Sequence, residues 1–291
     1  MSKYIDTFVN ATTGYWDYLI GEILNPSWHN YFYWLIALSL AVWLLEVIVP
    51  WRKNQGVFRK DFWLDGFYMF FNFFLFSLVI FNGVSYVAVE LFNDFLGLFG
   101  ISNTVAISIQ SWPLVLRFGL AFILADFIQW NVHRTLHRVP WMWEFHKVHH
   151  SVKEMGFAAH LRFHWMESVI YKTIQYVPLA MIGFGIEDYF IMHIFAVAVG
   201  HLNHANLGWD YGPLKYIFNN PRMHIWHHAK ELPADHKYGV NYGLTFSFWD
   251  YIFGSAYVPS DGRDIELGFS DEETLPDDFI GQVTYPLSRK G

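Results

Sequence analysis

Long apolar runs with few charges constrain the fold of this chain more than any other feature of its sequence. The run from Tyr31 to Val49 is long enough to span a bilayer and contains one acid, Glu46. Two further candidates run from Phe62 to Val84 and from Pro113 to Trp130. Because the bilayer core contains no water, backbone polar groups there must pair within the chain, which favours helices.

The composition also indicates a membrane protein. Of the 291 residues, 54% are hydrophobic and 15% are charged, whereas a soluble domain carries about 25% charged residues. Two shorter apolar runs, Val169 to Phe184 and Tyr189 to Gly200, flank the sequence GFGIED and predict a helical hairpin. We therefore predict an all-α fold, an integral membrane helical bundle with four to five apolar helices and a cytoplasmic helical cap that holds a histidine-rich dimetal site.

Basic residues predict the orientation of these helices. Four lysines and arginines lie in the loop 51–60, between the first and second apolar runs, and loops rich in such residues are usually cytoplasmic. With this assignment, every group of histidines emerges on the cytoplasmic side. The predicted location is a bacterial inner membrane or the endoplasmic reticulum.

Charge and cysteine content exclude several classes of function. The formal net charge of −7 argues against nucleic acid as a partner, since phosphate binding needs a basic surface. The chain has no cysteine, which excludes disulfides, iron–sulfur clusters and thiolate metal sites. The acidic segment 261–278 is predicted to be a solvated surface, and the alternative is a docking patch for a basic electron donor.

Histidine spacing is the feature that points to chemistry. Fourteen of the fifteen histidines lie between His133 and His236. Offsets of three and four residues bring side chains onto one face of a helix, so each HxxHH box is expected to aim three nitrogens at one point. The spaced sets are His133/His137, His146/His149/His150, His160/His164, His201/His204 and His224/His227/His228.

This concentration of imidazoles predicts a metal centre. Without a metal, many ring nitrogens in a poorly hydrated place would need other hydrogen-bond partners. Neutral imidazole binds zinc, copper, iron and nickel, and eight or more histidines are too many for one ion but fit two. Carboxylates at ligand spacing are too few for a soluble di-iron bundle. The chemistry that fits best is activation of O2 by two iron ions in an all-nitrogen shell.

Carboxylates near the histidines are expected to orient the metal ligands. Asp126 lies seven residues before His133 on the same predicted helix face, and Glu167 lies three residues after His164. A carboxylate that accepts the outer N–H of a ligand histidine fixes the tautomer and the direction of the ring. We expect both Asp126 and Glu167 to orient ligand histidines in this way.

From ADFIQWNVHRTLH to WDYIFGS, roughly residues 125 to 255, the sequence resembles the fatty acid hydroxylase/sterol desaturase superfamily of membrane di-iron oxygenases. The motifs FHKVHH, RFHWMES, NHAN, NNPRMHIWHH, NYG and WDYIFG occur in the family's order. The resemblance implies iron ligation by one HxxxH and two HxxHH boxes and by the histidine of NHAN. The implied ligands are His133, His137, His146, His149, His150, His204, His224, His227 and His228.

Some positions depart from the family's pattern. HWME stands where sterol-modifying members tend to carry HP and an acid, and Gly239 stands where the family often has an aspartate. Asn241 of NYG is expected to hold the ligand histidines in place without binding the metal itself. The further candidates for the metal are His164 and His201, and the roles of His160 and His236 stay open.

The resemblance implies a membrane-bound di-iron oxygenase that hydroxylates or desaturates a C–H bond of a lipid with O2 and external electrons. It divides the chain into an N-terminal membrane region with two spanning helices (1–112), a fatty acid hydroxylase-like catalytic domain (113–258) and an acidic C-terminal tail (259–291). We expect the electron donor to be a cytochrome b5-like protein or a ferredoxin with its reductase, because the sequence has no flavin or haem motif. Fatty acyl, sterol and ether-lipid substrates all stay open.

Two other classes of protein fit the sequence less well. An intramembrane zinc protease needs HExxH, but HRTLH has Arg134 at the position of the catalytic acid. A non-enzymatic haem electron carrier or metal transporter would need ligands or ionisable residues within its spanning helices. There the candidates are Glu46, Arg117 and Asp126, and the histidine boxes lie just outside the apolar runs.

Overall fold

The protein is built from helices that are joined by tight turns and by longer loops. The computed structural model describes residues 2–28, 30–76, 82–101, 105, 109, 111–184 and 186–287. Within these ranges the fold is all-helical, as predicted, and strand pairing is limited to two isolated bridges, Phe218 with Phe246 and Ala229 with Leu267. The helices are α1 (Ser2–Leu24), α2 (Tyr31–Ile48), α3 (Phe62–Phe70), α4 (Asn82–Gly97), α5 (Leu114–Arg138), α6 (Pro140–His150), α7 (Trp165–Met181), α8 (Ile186–His204), α9 (Pro221–His227), α10 (Phe248–Ile252) and α11 (Phe279–Thr284).

Two of the helices that the structure describes, α2 and α5, are long and apolar enough to cross a membrane. Both leave large apolar side chains exposed, among them Leu40 and Leu44 on α2 and Val115 and Ile123 on α5. Exposed apolar surface on a long helix is unfavourable in water. These faces therefore match a lipid environment.

The other predicted spans also fall on helices of the described residues. After α3, the chain continues as a π-helical turn at Phe71–Leu75, and α4 begins at Asn82. The predicted run from Phe62 to Val84 is thus helical from Phe62 to Phe76 and again from Asn82, and its part at 77–81 lies outside the described residues. The predicted hairpin corresponds to α7 and α8, which both pack against α5.

The helices α1 and α4 are amphipathic and pack along each other, and the sequence patterns did not predict them. Lys3 at the start of α1 pairs with Asp94 at 2.7 Å and with Glu90 at 2.6 Å on α4. Gly83 of α4 lies directly against the ring of Phe8, a contact that leaves no room for a larger side chain.

A proline positions α6 relative to α5. Pro140 has no N–H group and disfavours the α conformation at the residue before it. Val139 is accordingly extended, with φ −95° and ψ 114°. It is both the C-cap of α5 and the N-cap of α6. This sharp turn brings α6 back against the end of α5, where the first histidine box lies.

A buried ion network holds the segment that follows α6. The guanidinium of Arg59 and that of Arg162 both contact the fully buried carboxylate of Asp65 on α3, and Arg162 also contacts Asp61 at 3.1 Å. Buried charges are stable only when they are paired in this way. The network fixes the backbone at Arg162, whose carbonyl contributes to the site described below.

The acidic C-terminal segment folds back onto the body of the protein. Phe269, Leu275 and Tyr285 are buried in a cluster with residues of α3 and α6. Lys147 of α6 is itself buried and donates to Asp271 at 2.7 Å. At least part of this segment is therefore packed structure rather than freely solvated surface.

Candidate metal centre

The structure gathers nine histidines into two groups. In each group the ring nitrogens that could bind an ion lie within 4.8 Å of one another. The five-histidine group contains His133, His137, His146, His150 and His227, and the four-histidine group contains His149, His204, His224 and His228. These are the nine residues that the sequence predicted as metal ligands, brought together from four helices, α5, α6, α8 and α9, and the residue that follows α9.

The expectation that each HxxHH box aims at one point is wrong. On α6, His146 and His150 belong to the five-histidine group, whereas His149 belongs to the other. Successive residues on an α-helix are about 100° apart, so the two adjacent histidines diverge, while residues four apart stay nearly aligned. The box around α9 is divided in the same way. The two groups are neighbours, since the rings of His150 and His228 are 4.5 Å apart.

Backbone carbonyls fix the tautomer in the four-histidine group. The Nδ1–H of His149 donates to the carbonyl of Arg162 at 3.0 Å, and that of His204 donates to the carbonyl of Gly200 at 2.7 Å. A carbonyl oxygen can only accept, so each Nε2 carries a lone pair and no proton. The two Nε2 atoms are nevertheless 3.3 Å apart. Two lone pairs at this distance repel each other unless a cation lies between them.

The five-histidine group repeats this arrangement. The Nδ1–H of His133 donates to the carbonyl of Tyr242, and that of His227 donates to the carbonyl of Val240, both at 2.7 Å. The Nε2 atom of His227 is 3.2 Å from that of His150. Two nitrogens that bind one ion at about 2.1 Å each are roughly 3.0 to 3.4 Å apart. The donors of both groups therefore fit a metal ion.

Burial keeps these imidazoles neutral. It lowers the pKa of His149 to about 3. A neutral ring is the form that binds a metal, because protonation occupies the lone pair. Burial, with smaller contributions from neighbouring imidazoles, also places the pKa well below its usual range for His146, His150, His224, His227 and His228.

Glu167 makes the type of contact that the sequence predicted. Its carboxylate accepts the Nδ1–H of His146 at 2.7 Å and the backbone N–H of His164 at 3.3 Å. The second contact pairs a free N–H group at the start of α7. Glu167 thus connects the orientation of a candidate ligand to the start of a helix.

We expect Glu167→Gln to weaken metal binding by about 10- to 100-fold. The amide can accept at one position only, so its NH2 group would face one of the two N–H donors. Retention of iron against increasing chelator measures the effect. The exposed substitution Glu231→Gln is the matched control, and equal retention in the two variants would contradict the orienting role.

Asp126 has partners other than those expected. It accepts from the backbone N–H groups of Thr245 and Phe246, at 3.2 and 3.4 Å, and from the indole of Trp249 at 3.0 Å. Seven residues correspond to about 10 Å along a helix, too far for a direct contact with His133. Asp126 holds the loop before α10 instead. The Nδ1–H of His133 donates to the backbone carbonyl of Tyr242.

Asn241 and Asp250 shape the loop that carries two of those carbonyls. Asn241 adopts a left-handed conformation, with φ 52°, and its side chain bonds the backbone of Met223 and Tyr257. Asp250 is fully buried and accepts from Trp130 and from the backbone N–H of Tyr242, at 3.0 and 2.9 Å. Asp250 was not among the site residues predicted from the sequence, although its motif WDYIFG was noted.

The other histidines that the structure describes lie outside both groups. His164 bonds the carbonyl of Val283 at 2.9 Å through Nε2 and accepts from the backbone of Met166 through Nδ1. His201 contacts the hydroxyl of Ser39 at 3.0 Å and the ring of His160 at 3.2 Å. The two further candidates, His164 and His201, therefore have protein partners at both ring nitrogens. His236 packs on Tyr257 at the surface, away from the groups.

A cavity of about 210 Å³ opens beside the histidines. It extends from His133, His149 and His204 between α5, α7 and α8, and its wall is mostly apolar, with Phe122 and Met192 among the lining residues. The cavity gives an elongated apolar molecule a path to the candidate metal centre.

Comparison with known proteins agrees with this geometry. A sequence model of the family described as "Fatty acid hydroxylase" matches residues 118–255. The chain is 29% identical over 182 residues to "Ornithine lipid hydroxylase OlsE" of Rhizobium tropici, a match that covers 62% of this chain and 54% of that protein. No solved structure matches the chain significantly.

The names of other relatives refer to different lipids. "Alkylglycerol monooxygenase" of Homo sapiens is 32% identical over 137 residues, or 46% of this chain and 29% of that protein. "Methylsterol monooxygenase erg25B" of Aspergillus fumigatus is 24% identical over 185 residues, or 58% of this chain and 57% of that protein. The matches thus span little more than half of these relatives at most.

Proposed function

Residues 118–255 of this chain belong to the fatty acid hydroxylase family, and on that premise we propose that the protein is a membrane-bound, O2-dependent lipid oxygenase. It hydroxylates or desaturates a C–H bond of a lipid. The observation that carries the proposal is the opposition of unprotonated Nε2 atoms, shown by His149 and His204 at 3.3 Å. Neutral nitrogens face each other in this way where a metal ion holds them together.

Two iron ions, one in each histidine group, are the proposed cofactor. Bound iron supplies activation of O2 with electrons from a donor, chemistry that is able to oxidise an unactivated C–H bond. The protein's part is to hold the donors. Carbonyls of Arg162, Gly200, Tyr242 and Val240 fix four rings in advance, and burial keeps water away from them.

The arrangement of the helices supports a membrane location. We propose that α2 and α5, together with α7, α8 and the region around α3, form the four to five apolar helices of the bundle. The segments around α6 and α9 then form a cytoplasmic cap, within the proposed division into 1–112, 113–258 and 259–291. The lipid enters laterally from the bilayer, and its chain occupies the apolar cavity between α5, α7 and α8.

The substrate is proposed to be a membrane lipid, because the names of the relatives refer to ornithine lipids, alkylglycerols and methylsterols. The electron donor is proposed to be a cytochrome b5-like protein or a ferredoxin with its reductase. Nucleic acid is not a proposed partner.

Untargeted lipid mass spectrometry of cells with and without the gene tests the proposed activity. We expect a lipid class that gains one oxygen atom, or loses two hydrogen atoms, only when the gene is present. Cells that express the Glu231→Gln protein should form the same product. An identical lipid profile with and without the gene would contradict the proposal.

A further inference from the structure

We propose that Gln129 and Tyr171 bind an amide group of the lipid substrate inside the cavity, so that the enzyme selects lipids that carry an amide near the oxidised C–H bond. The inference rests on the proposed function and adds the chemical class of the substrate. It assigns a binding role to two neutral side chains that belong to neither histidine group.

Several polar side chains of the cavity wall already have partners within the protein. The two carboxylates of the wall accept the hydrogen bonds described above. Gln175 donates to the carbonyl of Ala125 at 2.9 Å, and Lys172 and His193 also have interaction partners. A substrate that enters the cavity therefore has to find its polar contacts elsewhere on the wall.

Gln129 of α5 and Tyr171 of α7 offer such contacts. Both line the cavity. Within the part of the chain that the structure describes, neither side chain forms a hydrogen bond, and neither is among the unpaired polar groups that the protein fully encloses. A polar group at an apolar wall is costly without a partner. A molecule in the cavity is able to reach both groups and to supply that partner.

The packing of α5 on α7 places these two side chains at the same level. The hydrogen bond from Gln175 to Ala125 shows where the helices meet. They run antiparallel, since Tyr171, earlier on α7, packs against the cluster that contains Val132, later on α5. Gln129 lies four residues after Ala125, and Tyr171 lies four residues before its own contact residue. Both are thus about one turn, or 6 Å, from the hydrogen bond and in the same direction.

One further turn along both helices leads to the histidines. His133 follows Gln129 by four residues. Glu167 precedes Tyr171 by four residues, and its carboxylate contacts His146. An amide held between Gln129 and Tyr171 is therefore about 6 Å along the helix axes from this level. Carbons a few bonds away from the amide then lie beside the histidine groups.

An amide matches the donors and acceptors of this pair. The side-chain amide of Gln129 both donates and accepts, and the phenol of Tyr171 donates. Gln129 is thus able to accept the N–H of a bound amide while Tyr171 donates to its C=O. An ester offers the C=O but has no N–H. A carboxylate or a phosphate would bury a charge that two neutral side chains do not balance.

Binding measurements without turnover test the inference. The full-length protein, loaded with iron and kept without O2 or reductant, is titrated with N-dodecylacetamide, dodecyl acetate and pentadecane. Each affinity is corrected for the partition of the ligand into protein-free detergent micelles. We expect the wild type to bind the amide at least about fivefold more tightly than the ester and at least about tenfold more tightly than the hydrocarbon.

Two variants separate the contributions of the side chains. Gln129→Met should remove the preference for the amide over the ester, because the acceptor for the N–H is lost. Tyr171→Phe should weaken the amide and the ester to a similar extent, by about 3- to 10-fold, because both ligands carry the C=O. Neither change should alter the binding of pentadecane. Tyr86→Phe, at an exposed tyrosine outside the cavity, is the matched control and should keep the wild-type affinities.

Equal affinity of the wild type for the amide and the ester would overturn the inference, and that comparison needs no variant. A preference for the amide that survives in Gln129→Met would also overturn it, because the N–H would then be bound elsewhere. Equal weakening of all three ligands in both variants would show that the two side chains only shape the cavity, and it would overturn the inference too. Iron content is measured separately, so a protein that fails to bind iron contradicts the proposed function and leaves this comparison intact.

Discussion

His149→Ala is expected to lower the iron content from about two ions to about one per chain and to reduce lipid oxidation by at least about 100-fold. His149 is one of four donors in its group, and its Nε2 lies 3.3 Å from that of His204. The three nitrogens that remain would hold the ion much more weakly, while the five donors of the other group stay intact. Iron per chain and product formation are measured on the same preparation.

His236→Ala provides the matched control for that variant. His236 lies outside both groups, so its removal should leave iron content and product unchanged. If His149→Ala retained both irons and full activity, the assignment of the four-histidine group would be wrong. If it lost both irons together with its folded structure, His204→Ala would repeat the test at a second donor of the same group.

Asp250→Ala is expected to lower the free energy of unfolding by about 3 kcal/mol and the melting temperature by roughly 5 to 10 °C. Asp250 is fully buried and accepts from the side chains of Trp130 and Ser255 and from the backbone of Tyr242 and Gly243. Alanine would leave these donors without an acceptor, and buried donors of this kind are costly. Thermal unfolding in detergent measures the loss.

The same substitution should also weaken iron binding, because the loop that Asp250 holds carries the carbonyl that orients His133. Asp277→Ala, at an exposed acid, is the control for both measurements. Unchanged stability and unchanged iron content in Asp250→Ala would contradict the role of this aspartate.

Helical spacing and the family resemblance together identified the nine histidines that gather at the candidate metal centre. Spacing alone did not predict the two groups, since His146 and His149, three residues apart, lie in different ones. The division of each box between two groups also follows from helix geometry, since neighbours such as His149 and His150 point about 100° apart. The sequence alone could not show which histidines of different helices meet. That pairing depends on how α5, α6, α8 and α9 pack.

The contacts that orient the ligands were harder to predict. The Nδ1 atoms of His133, His149, His204 and His227 contact backbone carbonyls, and a carbonyl belongs to every residue type. Glu167 was found because it is a carboxylate close to a histidine in sequence. Asp250 was missed because its indole partner, Trp130, is far away in sequence and its partners at Tyr242 and Gly243 are backbone N–H groups, which every residue type except proline offers.

Hydrophobicity predicted α2 and α5 well but did not predict α1 or α4. Those two helices are amphipathic, and their polar residues, such as Lys3 and Asp94, pair across the contact between them. The acidic segment after Asp261 was predicted to be a solvated surface because it is rich in polar residues. Its few apolar residues, Phe269 and Leu275, are sparse in the sequence, although they are buried in the structure.

Diffraction from crystals of the iron-loaded protein, measured at the iron absorption edge, tests the central claim most directly. The account predicts two anomalous peaks, one among His133, His137, His146, His150 and His227 and the other among His149, His204, His224 and His228. A single peak, or peaks away from these nitrogens, would contradict it.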